Sequence, residues 1–288
     1  MAAAATDSAL GPVVARVDGI LEAFLAGRHE EALDVDRRTV EPVEEIQRLV
    51  RAGGKRLRPA GTYWGYRAAG GADGPEIWQA AASVELLHTM ALLHDDVMDG
   101  DDVRRGQPSA RARQIAAAKD RGQADPERVG DAVAIVAGDL AAAFAEQLFS
   151  TAGFPDDRQA AGSARLARMR LELALGAYLS VTDLDGVDPA TVAYLKGGAY
   201  TVEGPVLLGS ALAGGGPEVD DALRAFARPL GAAFQLLDDL ADGDAAPGAS
   251  RAEAAALVTA SRRALADLRL DRTAAEALDE LAALVGSL

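Results

Sequence analysis

Residues 84–99 read VELLHTMALLHDDVMD. Apolar side chains fall at Val84, Leu87 and Ala91 and, offset from these, at Leu86, Met90 and Leu93. Spacings of three and four predict a helix rather than a strand. The helix is apolar almost all round, so it is expected at the centre of the fold. It ends in Asp95, Asp96 and Asp99, acids at i, i+1 and i+4. With about 3.6 residues per turn, Asp95 and Asp99 share a face one turn apart, and Asp96 stands about 100° round. Like charges one turn apart repel, and anions at a helix C-terminus oppose the macrodipole. The arrangement costs stability unless a cation offsets it. Carboxylate oxygens are hard ligands that suit Mg2+, which commonly shares its shell with water and phosphate.

Working outward, the same spacing recurs at Asp238, Asp239 and Asp242, closing a helix that starts near Pro217. Either triplet alone could be a solvated acidic helix end in a chain with 44 Asp and Glu. Two matched triplets, each before a Gly-containing loop, point to two walls of one metal site. Cations for an anionic ligand are present too. Gly53-Gly54-Lys55-Arg56-Leu57-Arg58-Pro59 sets three of them after a Gly pair that lets backbone approach an anion. Arg104 and Arg105 follow the first triplet closely. Their bland reading is a basic turn neutralising Asp101 and Asp102. Only Lys55, Lys119 and Lys196 occur among 29 basic residues, which draws attention to Lys55 and Lys196; Lys119 falls in a loop. His88 lies two turns before Asp95, His94 is read as structural and His29 as peripheral.

The rest of the chain sets the frame. It has 288 residues, 49% of them hydrophobic but only 5% aromatic, and is rich in good helix formers. Turn-forming clusters at 70–75, 99–108, 120–130, 151–157, 183–189, 214–217 and 242–250 separate long helical patterns. Residues 75–99, 129–150 and 190–212 read as central helices, while the first 40 and last 35 residues carry more charge and should lie outside. No long linker divides the chain. The expectation is an all-α fold, one domain over residues 1–288, with roughly ten helices around a central substrate cavity. A net charge of -15 argues against nucleic acid and anionic membranes as partners. With no cysteine, there is no disulfide or thiolate chemistry, which fits a reducing cytoplasm. No signal peptide and no membrane span are expected.

GGKRLRP, LLHDDVMDGDDVRRG, KGGAYTVEGP and GAAFQLLDDLAD occur in this order between Gly53 and Asp242. They resemble the ordered motifs of the trans-isoprenyl diphosphate synthases, the farnesyl and geranylgeranyl diphosphate synthase family. The resemblance implies the isoprenoid synthase fold and a homodimer. It also implies condensation of isopentenyl diphosphate with an allylic diphosphate through an allylic carbocation. Asp95, Asp96, Asp99, Asp238, Asp239 and Asp242 would hold three Mg2+ ions. Arg104, Lys196 and Gln235 match residues that contact the allylic diphosphate. Lys55, Arg58, His88 and Arg105 match the isopentenyl diphosphate site. Tyr200 and Phe234 would line the pocket near the reacting carbons. Product length in the family depends on bulk below the first aspartates, here Leu87, Met90 and Ala91. Neither Met90 nor Ala91 is aromatic, and the first motif lacks a two-residue insertion, which together resemble the C20-forming, geranylgeranyl type.

Two departures stand out. Gly197 follows Lys196 where the family usually has Thr, and no lysine occurs after Lys196, although the family usually has them after the second aspartate motif. Arg251 is a partial substitute at most, since Lys and Arg are not interchangeable at such sites. The losses keep open a weakly active or non-catalytic partner subunit. A terpene cyclase acting on an allylic diphosphate alone is the other alternative, opposed by the intact GGKR and RRG motifs.

Overall fold

The computed structural model describes residues 10–182, 186–243, 245, 248–266 and 270–288. Residues 1–9, on which the reading of the N-terminus rests, lie outside the described residues, as do 183–185 and 244, 246 and 247 of two expected loops. The order is α1 (Gly11–Val35), α2 (Val40–Arg51), α3 (Leu57–Ala68) and α4 (Pro75–Met98). A hairpin of β1 (Val103–Arg104) and β2 (Gln107–Pro108) follows. Then come α5 (Ala110–Asp120), α6 (Pro126–Ser150), α7 (Asp156–Thr182) and α8 (Pro189–Ala193). A π-helical segment, Tyr194–Glu203, leads into α9 (Gly204–Ala213), and α10 (Pro217–Asp242), α11 (Arg251–Ala266) and α12 (Arg272–Gly286) complete the chain. The all-α expectation is met, the short hairpin aside.

Local chemistry sets the boundaries. Ser109, Asp125, Asp188 and Asp271 each accept a backbone N–H from the first turn of the helix that follows, satisfying donors that have no partner within the helix. Asp125 with Pro126 starts α6 three residues ahead of the expected 129, because proline's missing N–H costs nothing at that position.

The fold groups into two compact units. The first comprises the described parts of Met1–Val14, Arg56–Ala81 and Ala152–Leu288; the second comprises Ala15–Lys55 and Ala82–Thr151. In the first, α10 packs on α11 and on the π segment, and α3 packs on α9, around buried Tyr63, Tyr200, Leu207 and Phe226. In the second, α6 packs on α2 and α5, and Phe24 meets Phe144 edge-on at 5.9 Å. A buried carboxylate also belongs to this unit. Glu45 is fully buried and accepts from Arg48 at 2.8 Å, from Gln114 at 2.9 Å and from Arg113.

Two expectations are corrected. The helix read as apolar all round at 129–150 buries Ala134, Ala137, Ala141 and Ala145 but leaves Ile135 and Val136 exposed. Among the described residues it is the one helix long and apolar enough to cross a membrane, yet one side is core and the other carries Asp139 and Glu146. The charged ends are not merely peripheral. Val13, Val17 and Leu21 of α1 and Leu278, Leu281 and Val285 of α12 are buried, as amphipathic helices require.

Candidate active site

The second unit carries the first aspartate triplet. Asp95 and Asp96 close α4 and Asp99 follows it. Asp95 is half-buried and Asp99 exposed, whereas Asp96 is only 1% exposed. Arg104 of β1 reaches Asp96 with Nε at 2.6 Å and Asp101 with Nη2 at 2.8 Å. The two partners pull in opposite senses. Burial pushes the Asp96 carboxyl up against the attraction of Arg104. Burial also pulls Arg104 down, but Asp96, Asp101 and Asp95 outweigh it and hold the guanidinium above its ordinary value. A guanidinium stays protonated throughout the accessible range, so Arg104 brings a full positive charge to this short contact. The bland reading of the basic turn is therefore half right: Arg104 does neutralise Asp101, but it also holds a triplet carboxylate. Asp102 is served by Arg111 at 3.2 Å.

The hairpin aims the next cation. Arg105 and Gly106 form its two-residue turn with φ of 54° and 71°, the left-handed pair that matches strand twist. The Arg105 side chain donates from Nη1 to the Leu49 carbonyl at 2.8 Å, at the end of α2. Lys55 lies just beyond that helix and is exposed. Among the described residues only two non-glycine residues have positive φ, Arg56 at 50° and Arg105 at 54°. Each sits in one of the two expected diphosphate loops, and backbone strain of this kind concentrates where a ligand must be met. Leu87 and Ala91 are buried along α4, and Met90 and His88 are half-buried. His94 turns away, against Gly138 and the Ile135 carbonyl of α6 at 3.2 Å.

The first unit carries the second triplet. Asp238, Asp239 and Asp242 end α10, Asp238 and Asp242 exposed and Asp239 half-buried. Gln235, one turn earlier, donates to Asp239 Oδ1 at 2.6 Å. Its side chain lies over Gly197, where a β-carbon would collide with the Gln235 amide. The glycine that departs from the usual threonine thus makes room for this contact. Lys196 lies half-buried in the π segment, whose backbone meets that of α10: a β-carbon on Gly198 would stand 2.7 Å from the Gly231 carbonyl oxygen. Tyr200 is buried and lies under Arg58, whose guanidinium is 4.6 Å from the ring centroid and donates to Thr201 at 2.7 Å. Phe234 is half-buried on α10. The fold therefore joins Arg58 to Tyr200 and Gln235 to Asp239. It likewise joins Arg104 to Asp96.

The polyprenyl synthetase model matches residues 41–250. The chain belongs to the polyprenyl synthetase family. The match embraces every expected site residue. A geranylgeranyl pyrophosphate synthase 7 of Arabidopsis thaliana is 30% identical over 258 residues, covering 80% of this chain and 68% of its own. The Capsicum annuum geranylgeranyl pyrophosphate synthase is 33% identical over 209 residues, 69% of this chain and 52% of its own. The chain thus spans about half to two thirds of the length of these curated relatives. A solved geranylgeranyl pyrophosphate synthase from Corynebacterium glutamicum, complexed with isoprenyl diphosphate and magnesium, superposes with a TM-score of 0.87 at 26% identity, over 96% of this chain and 99% of that one. The archaeal synthetase of Geoglobus acetivorans shares the fold, with a TM-score of 0.78, 22% identity and coverage of 97% and 99%. Family and all-α fold accord with the motif order seen in the sequence.

Several features of the site had no clear sequence signal: the π register around Lys196, the strained Arg56 and Arg105, and the pairing of Asp96 with Arg104. For Arg105 a hint existed in the Arg-Gly pair, which suits a left-handed two-residue turn.

Proposed function

We propose that this polyprenyl synthetase is a trans-prenyl transferase that condenses isopentenyl diphosphate with allylic diphosphates, with geranylgeranyl diphosphate as product. The observation that carries the reading is that each unit pairs an acidic helix end with a group bonded to it: Asp96 of the first triplet with the guanidinium of Arg104, and Asp239 of the second with the amide of Gln235. Among the described residues no three acidic or imidazole groups converge on one point. Mg2+ takes one or two carboxylates and completes its shell with water and phosphate oxygens. Asp95, Asp99, Asp238, Asp239 and Asp242 would hold the metal, up to the three ions the resemblance implies, with Asp96 acting through Arg104. When bound, Mg2+ would offset the negative charge of the departing pyrophosphate.

The chain's own residues do the rest. Arg104, Lys196 and Gln235 orient the allylic diphosphate, and Lys55, Arg58, His88 and Arg105 the isopentenyl diphosphate. The allylic C–O bond breaks and pyrophosphate leaves with the electron pair. The isopentenyl double bond attacks the allylic cation, and the product cation loses a proton to the pyrophosphate. Apolar side chains, Tyr200 and Phe234 among them, keep out water that would quench the cation. Below the first triplet neither Met90 nor Ala91 is aromatic, which supports a C20 product. A homodimer formed through the exposed Ile135–Val136 face of α6 accounts for the apolar character of that helix.

Purified chain incubated with labelled isopentenyl diphosphate, Mg2+ and each of dimethylallyl, geranyl and farnesyl diphosphate should yield labelled geranylgeranyl diphosphate. No elongated product with any primer, where a control synthase works, would overturn the proposal. Product only after addition of a second synthase chain would favour the partner-subunit reading, which the missing lysines after Lys196 motivate.

A further inference from the structure

The π segment is tied end to end. The Tyr194 hydroxyl donates to Glu203 Oε2, joining the first residue of the segment to the last. In an α-helix, with about 3.6 residues per turn, residues nine apart stand on opposite sides. Wider turns closed by i→i+5 hydrogen bonds bring them to the same side. This bond therefore belongs to the π register and is unavailable in the α register.

The tie is built in from neighbouring helices of the same unit. Arg224 of α10 holds the other Glu203 oxygen at 3.5 Å, and Arg228 lies 5.5 Å from the Tyr194 ring centroid. Burial, then the bond to Glu203, pushes the Tyr194 hydroxyl far above its ordinary value, so it stays a donor. Arg165 of α7 lies half-buried near the same carboxylate; partial burial lowers its pKa and Glu203 opposes that. Inside the tied turns lie Gly197 and Gly198, residues with little backbone preference of their own. Between the ends also lie Lys196 and Tyr200. A return to the α register would remove the extra residue per turn and rotate Lys196 relative to Gln235.

We propose that Glu203 is a positioning residue for prenyl transfer: through Tyr194 it locks the π register and so fixes where Lys196 presents its charge to the allylic diphosphate. The proposal deepens the function proposed above and rests on it. Its test uses two readouts on the full chain, steady-state kinetics with farnesyl and isopentenyl diphosphates and hydrogen–deuterium exchange of the 196–203 amides. Tyr194→Phe and Glu203→Ala should each raise the KM for farnesyl diphosphate by roughly fivefold or more and leave that for isopentenyl diphosphate within about twofold. The same variants should speed exchange of those amides, with little change in melting temperature. Glu203→Gln keeps a carbonyl to accept from Tyr194 and should fall between wild type and Glu203→Ala. The pair Tyr194→Phe/Glu203→Ala should be no worse than the worse single variant, since both remove one bond. Unchanged exchange and unchanged KM for farnesyl diphosphate, or equal rises in both KM values, would overturn the lock. Should the wild-type chain make no product, the function proposed above fails, while the exchange readout still decides the lock.

Discussion

Replacing Gly176 of α7 by alanine would press directly on the Lys196 backbone. The added β-carbon would stand 2.8 Å from both the Leu195 carbonyl carbon and the Lys196 α-carbon, and closer still to the Lys196 amide nitrogen. Ordinary contact begins at 3.4 Å and the amide nitrogen lies nearer than 2.8 Å, so the π segment must retreat by well over half an ångström. No rotamer change relieves this, because the opposing atoms are backbone. The other side of the segment is closed by the Gly198–Gly231 contact with α10. Overpacking of this kind costs about 1–3 kcal/mol, and for a chain of this size that is a fall of roughly 2–10 °C in melting temperature. A displacement approaching 1 Å in a charge-positioning group costs up to about 10²-fold in rate. The assay is kcat/KM for farnesyl diphosphate and the KM for isopentenyl diphosphate, measured beside thermal unfolding. Gly176→Ala should lower the first by roughly 10- to 100-fold and change the second by less than about threefold. Wild-type kcat/KM with an unchanged melting temperature would refute the argument that α7 sets the position of Lys196.

Further expectations follow from single contacts. Glu45→Ala leaves Arg48, Arg113 and Gln114 without their shared acceptor and should cost about 3–5 kcal/mol in denaturant unfolding; a loss under about 1 kcal/mol would mean that water or Glu44 replaces it. Ala91→Phe fills a buried position on α4 and should shift the product from geranylgeranyl to farnesyl diphosphate on chromatography; an unchanged product would place the pocket floor elsewhere. Val136→Glu puts a charge on the exposed apolar face of α6 and should convert dimer to monomer in sedimentation velocity, whereas an unaltered dimer would exclude that face.

The helices and most of their ends were legible because they depend on local chemistry. The clusters at 70–75, 151–157 and 214–217 fall between helices in the structure, as proline, glycine and N-capping residues dictate. The break between α1 and α2 around Asp36 was missed, since its residues carry no Gly or Pro. The aspartate triplets were visible because i, i+1, i+4 spacing is a property of one helix. What escaped depends on partners distant in sequence. Asp96 is set apart from Asp95 and Asp99 by Arg104, eight residues on. The π register depends on Glu203 and on glycines of two neighbouring helices, and periodicity read over 190–212 gave a continuous helix without it. The exposure of Ile135 and Val136 likewise follows from which face of α6 meets α2 and α5, which a nearly uniform apolar run does not specify.

Pyrophosphate release from purified chain supplied with farnesyl diphosphate and Mg2+, with and without isopentenyl diphosphate, distinguishes prenyl transfer from every alternative. Prenyl transfer predicts release only when both diphosphates are present, one pyrophosphate for each isopentenyl diphosphate consumed, and none after chelation of the metal. Release from farnesyl diphosphate alone, or no release under any of these conditions, would contradict it.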